Sequence, residues 1–74
     1  MSKESSDLLK KFGKRAREER TKRGLSQEEL GFQSGLDRTY ISGIERGERN
    51  PSLKNIGKLA KALKTPLFEL FKPR

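Results

Sequence analysis

Three features of the sequence predict an all-α fold, a compact bundle of five helices. Val is absent and Ile and Thr occur only three times each, so the β-branched residues that strands favour are scarce. Apolar residues recur at helical spacing over most of the chain. Ser26, Asp37, Ser52 and Thr65 each stand just ahead of such a stretch, where a helix N-cap belongs.

Taken in order, residues 1–7 are polar and read as a flexible tail, with the folded domain over residues 8–74. Leu8, Leu9, Phe12 and Ala16 form the apolar stripe of a first helix that stops at Gly24, a left-handed C-terminal glycine. Lys10, Lys11, Lys14, Arg15, Arg17, Lys22 and Arg23 crowd its other faces as a solvated cationic surface. Arg20 differs from these, because it continues the apolar stripe. In Leu25-Ser26-Gln27-Glu28-Glu29-Leu30, Ser26 and Glu29 form a capping box, and Leu25 and Leu30 stand at the positions of a hydrophobic staple. This second helix runs to about Ser34 and is stopped by Gly35. Asp37 caps a third, with Leu36 and Ile41 as a second staple. Two short, separately capped helices joined by a glycine turn are a helix-turn-helix candidate. Glu48-Arg49-Asn50-Pro51 reads as a loop. Ser52 then caps a fourth helix with Leu53, Ile56, Leu59, Ala60 and Leu63 on one face. Thr65 followed by Pro66 reads as a cap and an N1 proline, opening a fifth helix through Leu67, Phe68, Leu70 and Phe71.

Composition narrows the function classes. Leu, Ile and Phe fill 17 of 74 positions, not far above the level of about one fifth at which highly charged chains stay disordered, so patterning rather than composition argues for a fold. Eighteen Lys and Arg against ten acids leave a net charge of +8, which favours a polyanionic partner. With no Cys, disulfides and thiolate metal sites are excluded; with no His, the commonest general base and metal ligand is missing. An enzyme has no machinery here, and no metal or cofactor is expected. No apolar run is long enough for a signal peptide or membrane span, so a cytoplasmic chain with no membrane contact is expected.

The third helix carries the chemistry. At roughly 100° per residue, Ile41, Ile44 and Glu45 share the inner side, while Thr39, Ser42, Gly43 and Arg46 face away with Arg38 and Tyr40 on the flanks. A helix built only to pack would not keep Gly43, which costs roughly 1 kcal/mol against Ala. A short face of small residues, cationic at both ends, suits close approach to a DNA major groove, where the first residues of a helix reach base edges. Arg38, Thr39, Tyr40, Ser42 and Gly43 are therefore the candidate base-reading set. Arg38 opposes the helix dipole, which argues against a purely structural role. Arg49, in the loop, can reach a phosphate but hardly a base. Arg20 and Glu45 each sit on the inward face of a helix and are expected to pair, because charges are rarely buried alone. Leu67, Phe68, Leu70 and Phe71 exceed what a small unit can hide and mark a homodimer interface.

Residues 12–71 resemble the helix-turn-helix regulators of the Xre and lambdoid phage repressor type. The resemblance is carried by Gly24-Leu25-Ser26-Gln27-Glu28-Glu29-Leu30, Gly35, Ile41, Ile44-Glu45-Arg46-Gly47 and Pro51-Ser52-Leu53. Within that group, Leu36-Asp37-Arg38-Thr39-Tyr40-Ile41-Ser42-Gly43-Ile44-Glu45-Arg46 is similar to the recognition helix of restriction–modification controller proteins. The resemblance implies a lambda-repressor-like domain that dimerises through its C-terminal helices and binds double-stranded DNA at a pseudo-palindromic operator, with RNA polymerase a further candidate partner. It places Ser26, Gln27, Arg46, Arg49 and Asn50 at phosphate-contacting positions, and it implies the Arg20–Glu45 pair. Gly31 departs from the usual Ala, Ser34 replaces a usual apolar residue, and Phe32 stands where a polar residue is common; Phe32 is expected to pack against helix 1 or 4. The alternative is an antitoxin or protein-partner module of a toxin–antitoxin pair, which uses the same fold. Few residues lie beyond the expected helices to wrap a partner.

Overall fold

The first helix, α1, spans Lys3–Lys22, starting five residues before the first apolar position. The structure, a computed structural model, describes residues 3–72; the remainder of the expected tail, residues 1–2, and the last two residues of the expected domain lie outside them. Polar residues 3–7 are thus helical, extending the helix by a turn and a half without adding to the core. Gly24, at φ +69°, ends the helix in the left-handed region, and the Leu25 N–H donates back to the Arg20 carbonyl at 3.1 Å.

Helix α2 covers Gln27–Ser34 and α3 covers Arg38–Glu45. The Ser26 hydroxyl accepts from the Glu29 N–H at 2.9 Å, and the Glu29 carboxylate accepts from the Ser26 N–H at 2.9 Å. Gly35 takes φ +74° and closes α2 onto the Gly31 carbonyl. The turn folds back so tightly that a Cβ on Gly31 would lie 2.7 Å from the Leu36 carbonyl oxygen. Ser34 serves this turn rather than the core: its hydroxyl donates to the Gly31 carbonyl and accepts from the Leu36 N–H.

Helix α4 covers Leu53–Ala62, capped by Ser52, whose hydroxyl accepts from the Asn55 N–H at 3.1 Å. The fifth element is not an α-helix but a 3-10 helix, Leu67–Phe71. Pro66, not Thr65, occupies the capping position, and it cannot provide a side-chain cap. Thr65 is buried and donates its hydroxyl to the Leu63 carbonyl at 3.0 Å. Five residues are too few for several α-helical bonds, and 3-10 geometry suits such short pieces. Among the described residues there are therefore four α-helices, one 3-10 helix and no strand.

Phe12 from α1, Leu30 from α2, Ile41 and Ile44 from α3, Ile56, Leu59 and Ala60 from α4, then Leu63 and Leu70 close one core. Each fully buried Leu or Ile contributes about 1.5–3 kcal/mol of transfer free energy. Three expectations fail here. Leu70 belongs to the core at 1% exposure, because the tight 3-10 turn drives it inward while Leu67, Phe68 and Phe71 stay outside. Leu8 and Leu53 lie near the starts of their helices, beyond the packed region, and are exposed. Phe32 is 91% exposed and packs against neither α1 nor α4: Leu30 and Gly31 occupy the inner side of α2, and the next position turns outward.

Candidate nucleic-acid interface

The position of α3 is set by a polar cluster at its end. Arg20 of α1 grips Glu45 with two parallel bonds, Nε to Oε2 at 2.7 Å and Nη2 to Oε1 at 3.0 Å. Its remaining Nη1 donates to the Leu25 carbonyl at 2.7 Å. Gln27, opening α2, donates its side-chain amide to the same Glu45 carboxylate at 3.0 Å. One carboxylate, 3% exposed, thus ties three helices together, and the planar guanidinium fork fixes direction as well as distance. The Gln27 amide points into this cluster, so the donor expected at a phosphate is already engaged with Glu45.

Helix α1 crosses α3 at Gly13. A Cβ there would overlap the Ile44 carbonyl oxygen and lie 2.8 Å from that of Glu45. The helices touch backbone to side, which puts Arg20 within reach of Glu45. The sequence marks Gly13 only by the cost of a glycine inside a helix.

At the other end of α3, Asp37 accepts from the Thr39 N–H at 2.8 Å, leaving Arg38 and Thr39 exposed on the first turn. Among the described residues Arg38 forms no ion pair. Arg46, at the C-cap, donates to the Ser42 hydroxyl and to Glu48 at 3.1 Å, a solvent-exposed cluster that costs little to rearrange. The Ser26 oxygen serves its helix cap, and Asn50 is exposed in the loop.

Gly43 does not leave a bare face. It is buried beneath the Arg49 side chain, and a Cβ would lie 2.5 Å from Arg49 Cγ. The glycine admits the stem of a loop arginine, and the Arg49 guanidinium then sits 6.0 Å from the centre of the Tyr40 ring. The expected small outer face is covered there by Arg49, a contact no helical periodicity could signal. Tyr40 is held from a third direction by Asn55 of α4, which donates to its hydroxyl at 3.1 Å. No local sequence signal marks Asn55 for this contact. The described residues offer no metal-binding group of carboxylates, and no helix is long and apolar enough to cross a membrane.

A second ionic cluster lies away from α3. Glu19, buried on α1, receives Arg15 at 2.6 Å, Arg23 at 2.7 Å and the Thr65 hydroxyl at 3.3 Å, while Arg15 also reaches Glu69 at 3.4 Å. The Arg15 hydrogen bond, reinforced by that of Arg23 and by both charges, outweighs burial and holds the Glu19 carboxyl at about 2. The cluster fastens the segment bearing the 3-10 helix to α1.

Comparison with known proteins agrees with this architecture. Residues 17–70 match the helix-turn-helix family. The chain is 57% identical over 53 residues to the control protein C.BamHI of Bacillus amyloliquefaciens, covering 70% of this chain and 65% of that protein, just under two thirds of its length. It is 46% identical over 69 residues to the control protein C.MunI of a Mycoplasma species, covering 89% of this chain and 90% of that protein. The crystal structure of the restriction–modification controller protein C.AhdI from Aeromonas hydrophila superposes with a TM-score of 0.84 at 63% identity, over 85% of this chain and 96% of that one. The chain therefore belongs to the helix-turn-helix family of DNA-binding transcription regulators, the family that includes these controller proteins.

Proposed function

We propose that this protein is a sequence-specific regulator that binds double-stranded DNA as a homodimer, with α3 in the major groove of each half of a pseudo-palindromic operator. The observation that carries the reading is the pairing of a clamped helix with an open start: Glu45 is fixed by Arg20 and Gln27, while the Arg38 and Thr39 side chains are exposed on the first turn with no partner among the described residues. A guanidinium so placed can fork onto O6 and N7 of a guanine. Arg46, Arg49 and Asn50, on the loop side, suit phosphates, which position the protein without reading sequence. Leu67, Phe68 and Phe71 are exposed on the 3-10 helix, Leu8 lines a groove with Phe12 and Phe71, and a second copy of the chain is the occupant of this apolar surface in this reading. Two-fold symmetry then sets half-sites about one DNA turn apart. The control-protein relatives support a cytoplasmic controller of a restriction–modification system as its role.

The deciding experiment selects a preferred site from a random duplex library, then titrates variants on that site and on scrambled DNA at several salt concentrations. Arg38→Ala should cost about 1–3 kcal/mol on the preferred site and flatten discrimination at one base position per half-site. Arg49→Ala should weaken both DNAs alike and reduce the salt slope by about 1 for each phosphate the arginine no longer neutralises. Equal loss on both DNAs for Arg38→Ala, with lost specificity for Arg49→Ala, reverses the assignment.

A further inference from the structure

The Asn55–Tyr40 hydrogen bond has a consequence for how the interface reads DNA. A phenol hydroxyl has one proton to give and lone pairs to accept with. Asn55 Nδ2 donates to the Tyr40 oxygen from α4, and this uses the acceptor side of the hydroxyl. The ring's freedom to change that is restricted: it packs against the core, and the Arg49 guanidinium lies 6.0 Å from its centre. The Tyr40 proton is given to no other described residue.

We propose that Asn55 is a positioning residue for DNA recognition: by donating to the Tyr40 hydroxyl it reserves the Tyr40 proton for an acceptor atom of DNA. The inference rests on the reading of Tyr40 as a DNA-contacting residue. Phosphate oxygens, purine N7, guanine O6 and thymine O4 are acceptors, whereas cytosine N4 and adenine N6 are donors, so a fixed donor discriminates between them. Acceptance of the Asn55 bond also polarises the hydroxyl and strengthens the bond it donates. An Asn on the α4 flank thereby influences a contact made from α3.

The test is a double-mutant cycle in DNA binding, using the full chain and its selected site, with each variant titrated well below its own melting temperature. Tyr40→Phe should weaken binding about tenfold, the scale of one hydrogen bond to a charged or well-oriented partner. Asn55→Ala should weaken it roughly threefold to tenfold in the parent and leave it unchanged in the Tyr40→Phe background. Asn55→Asp, whose carboxylate takes the Tyr40 proton for itself, should lose more than Asn55→Ala in the parent. Operators carrying single methylphosphonates or 7-deazapurines distinguish the acceptor: the partner atom is the one whose replacement costs the parent affinity but not Tyr40→Phe. If Asn55→Ala weakens binding equally in both backgrounds, Asn55 acts through general structure and the proposal is overturned. If Tyr40→Phe binds like the parent, the proposal also falls, and the fault then lies in the reading of Tyr40.

Discussion

Gly13→Ala and Gly57→Ala make the same chemical change in two helices, and the structure assigns them opposite signs. Each replaces a helical glycine with the best helix former, a gain of about 0.8–1 kcal/mol from propensity alone. At Gly57, on the exposed side of α4, nothing lies within 4 Å of the new Cβ, so the gain should be realised. At Gly13 the Cβ meets two backbone carbonyls of α3, one of them 2.8 Å away and the other closer. Neither can rotate aside as a flexible side chain would, so α1 and α3 must move apart. Overpacking of this kind typically costs about 1–3 kcal/mol, and rigid backbone on both sides argues for the upper end. After subtracting the propensity gain, a net loss of about 1–2 kcal/mol remains. In a domain of this size each kcal/mol moves the melting temperature by about 4–8 °C. Circular dichroism melts should therefore show Gly57→Ala about 4–8 °C above the parent and Gly13→Ala about 4–16 °C below it. Because the same crossing sets the angle of α3, Gly13→Ala should also weaken operator binding at temperatures where it remains folded. A Gly13→Ala variant as stable as Gly57→Ala would refute the close crossing of α1 and α3.

Three further outcomes follow from the clusters and the apolar patch. Arg20→Ala leaves the Glu45 carboxylate, 3% exposed in the parent, without its charge partner and with only the Gln27 amide, and should cost about 3–5 kcal/mol, much of the stability of a small domain; a parent-like thermal melt would show the cluster to be superficial. Glu19 has a folded-state pKa of about 2, below the ordinary carboxylate value, so its contribution is fully present above about pH 4.3 and is lost as pH falls from there through 2. Urea unfolding between pH 6 and pH 2 should show that decline, and Glu19→Gln should be less stable at pH 6 with a shallower acid dependence. Phe68→Glu, on the exposed patch, should leave the melt of the monomer unit intact while sedimentation at micromolar concentration shifts to a single-chain species; an unchanged sedimentation coefficient would move the interface elsewhere.

Both ends of α2 and the starts of α3 and α4 could be read directly, because the signals that set them act within four residues. Ser26 with Glu29, Asp37, Ser52 and Gly35 each satisfy or release a backbone group of their own helix end, and no distant residue is needed for that. The same local logic placed Ile41 and Ile44 inward, Thr39 outward and Arg38 on the flank. Thr65 misled because its hydroxyl had two possible partners: tertiary packing turned it toward Glu19 and the Leu63 carbonyl, leaving Pro66 to open a short 3-10 turn. Leu70 and Leu8 are equally apolar, yet one is buried and the other exposed, since burial depends on which surface a neighbouring helix covers. Gly43 was recognised as costly, but only the folded loop shows that Arg49 fills the space above it. Gln27 and Asn55 likewise acquire their partners from helices far away in the chain. Helix ends and helix faces are thus properties of short segments, governed by capping bonds and a fixed angular period. Which polar side chains meet between helices depends instead on how the helices cross, as at Gly13 and in the turn at Gly31, where the absence of a Cβ lets backbones approach and brings Arg20, Gln27 and Glu45 together.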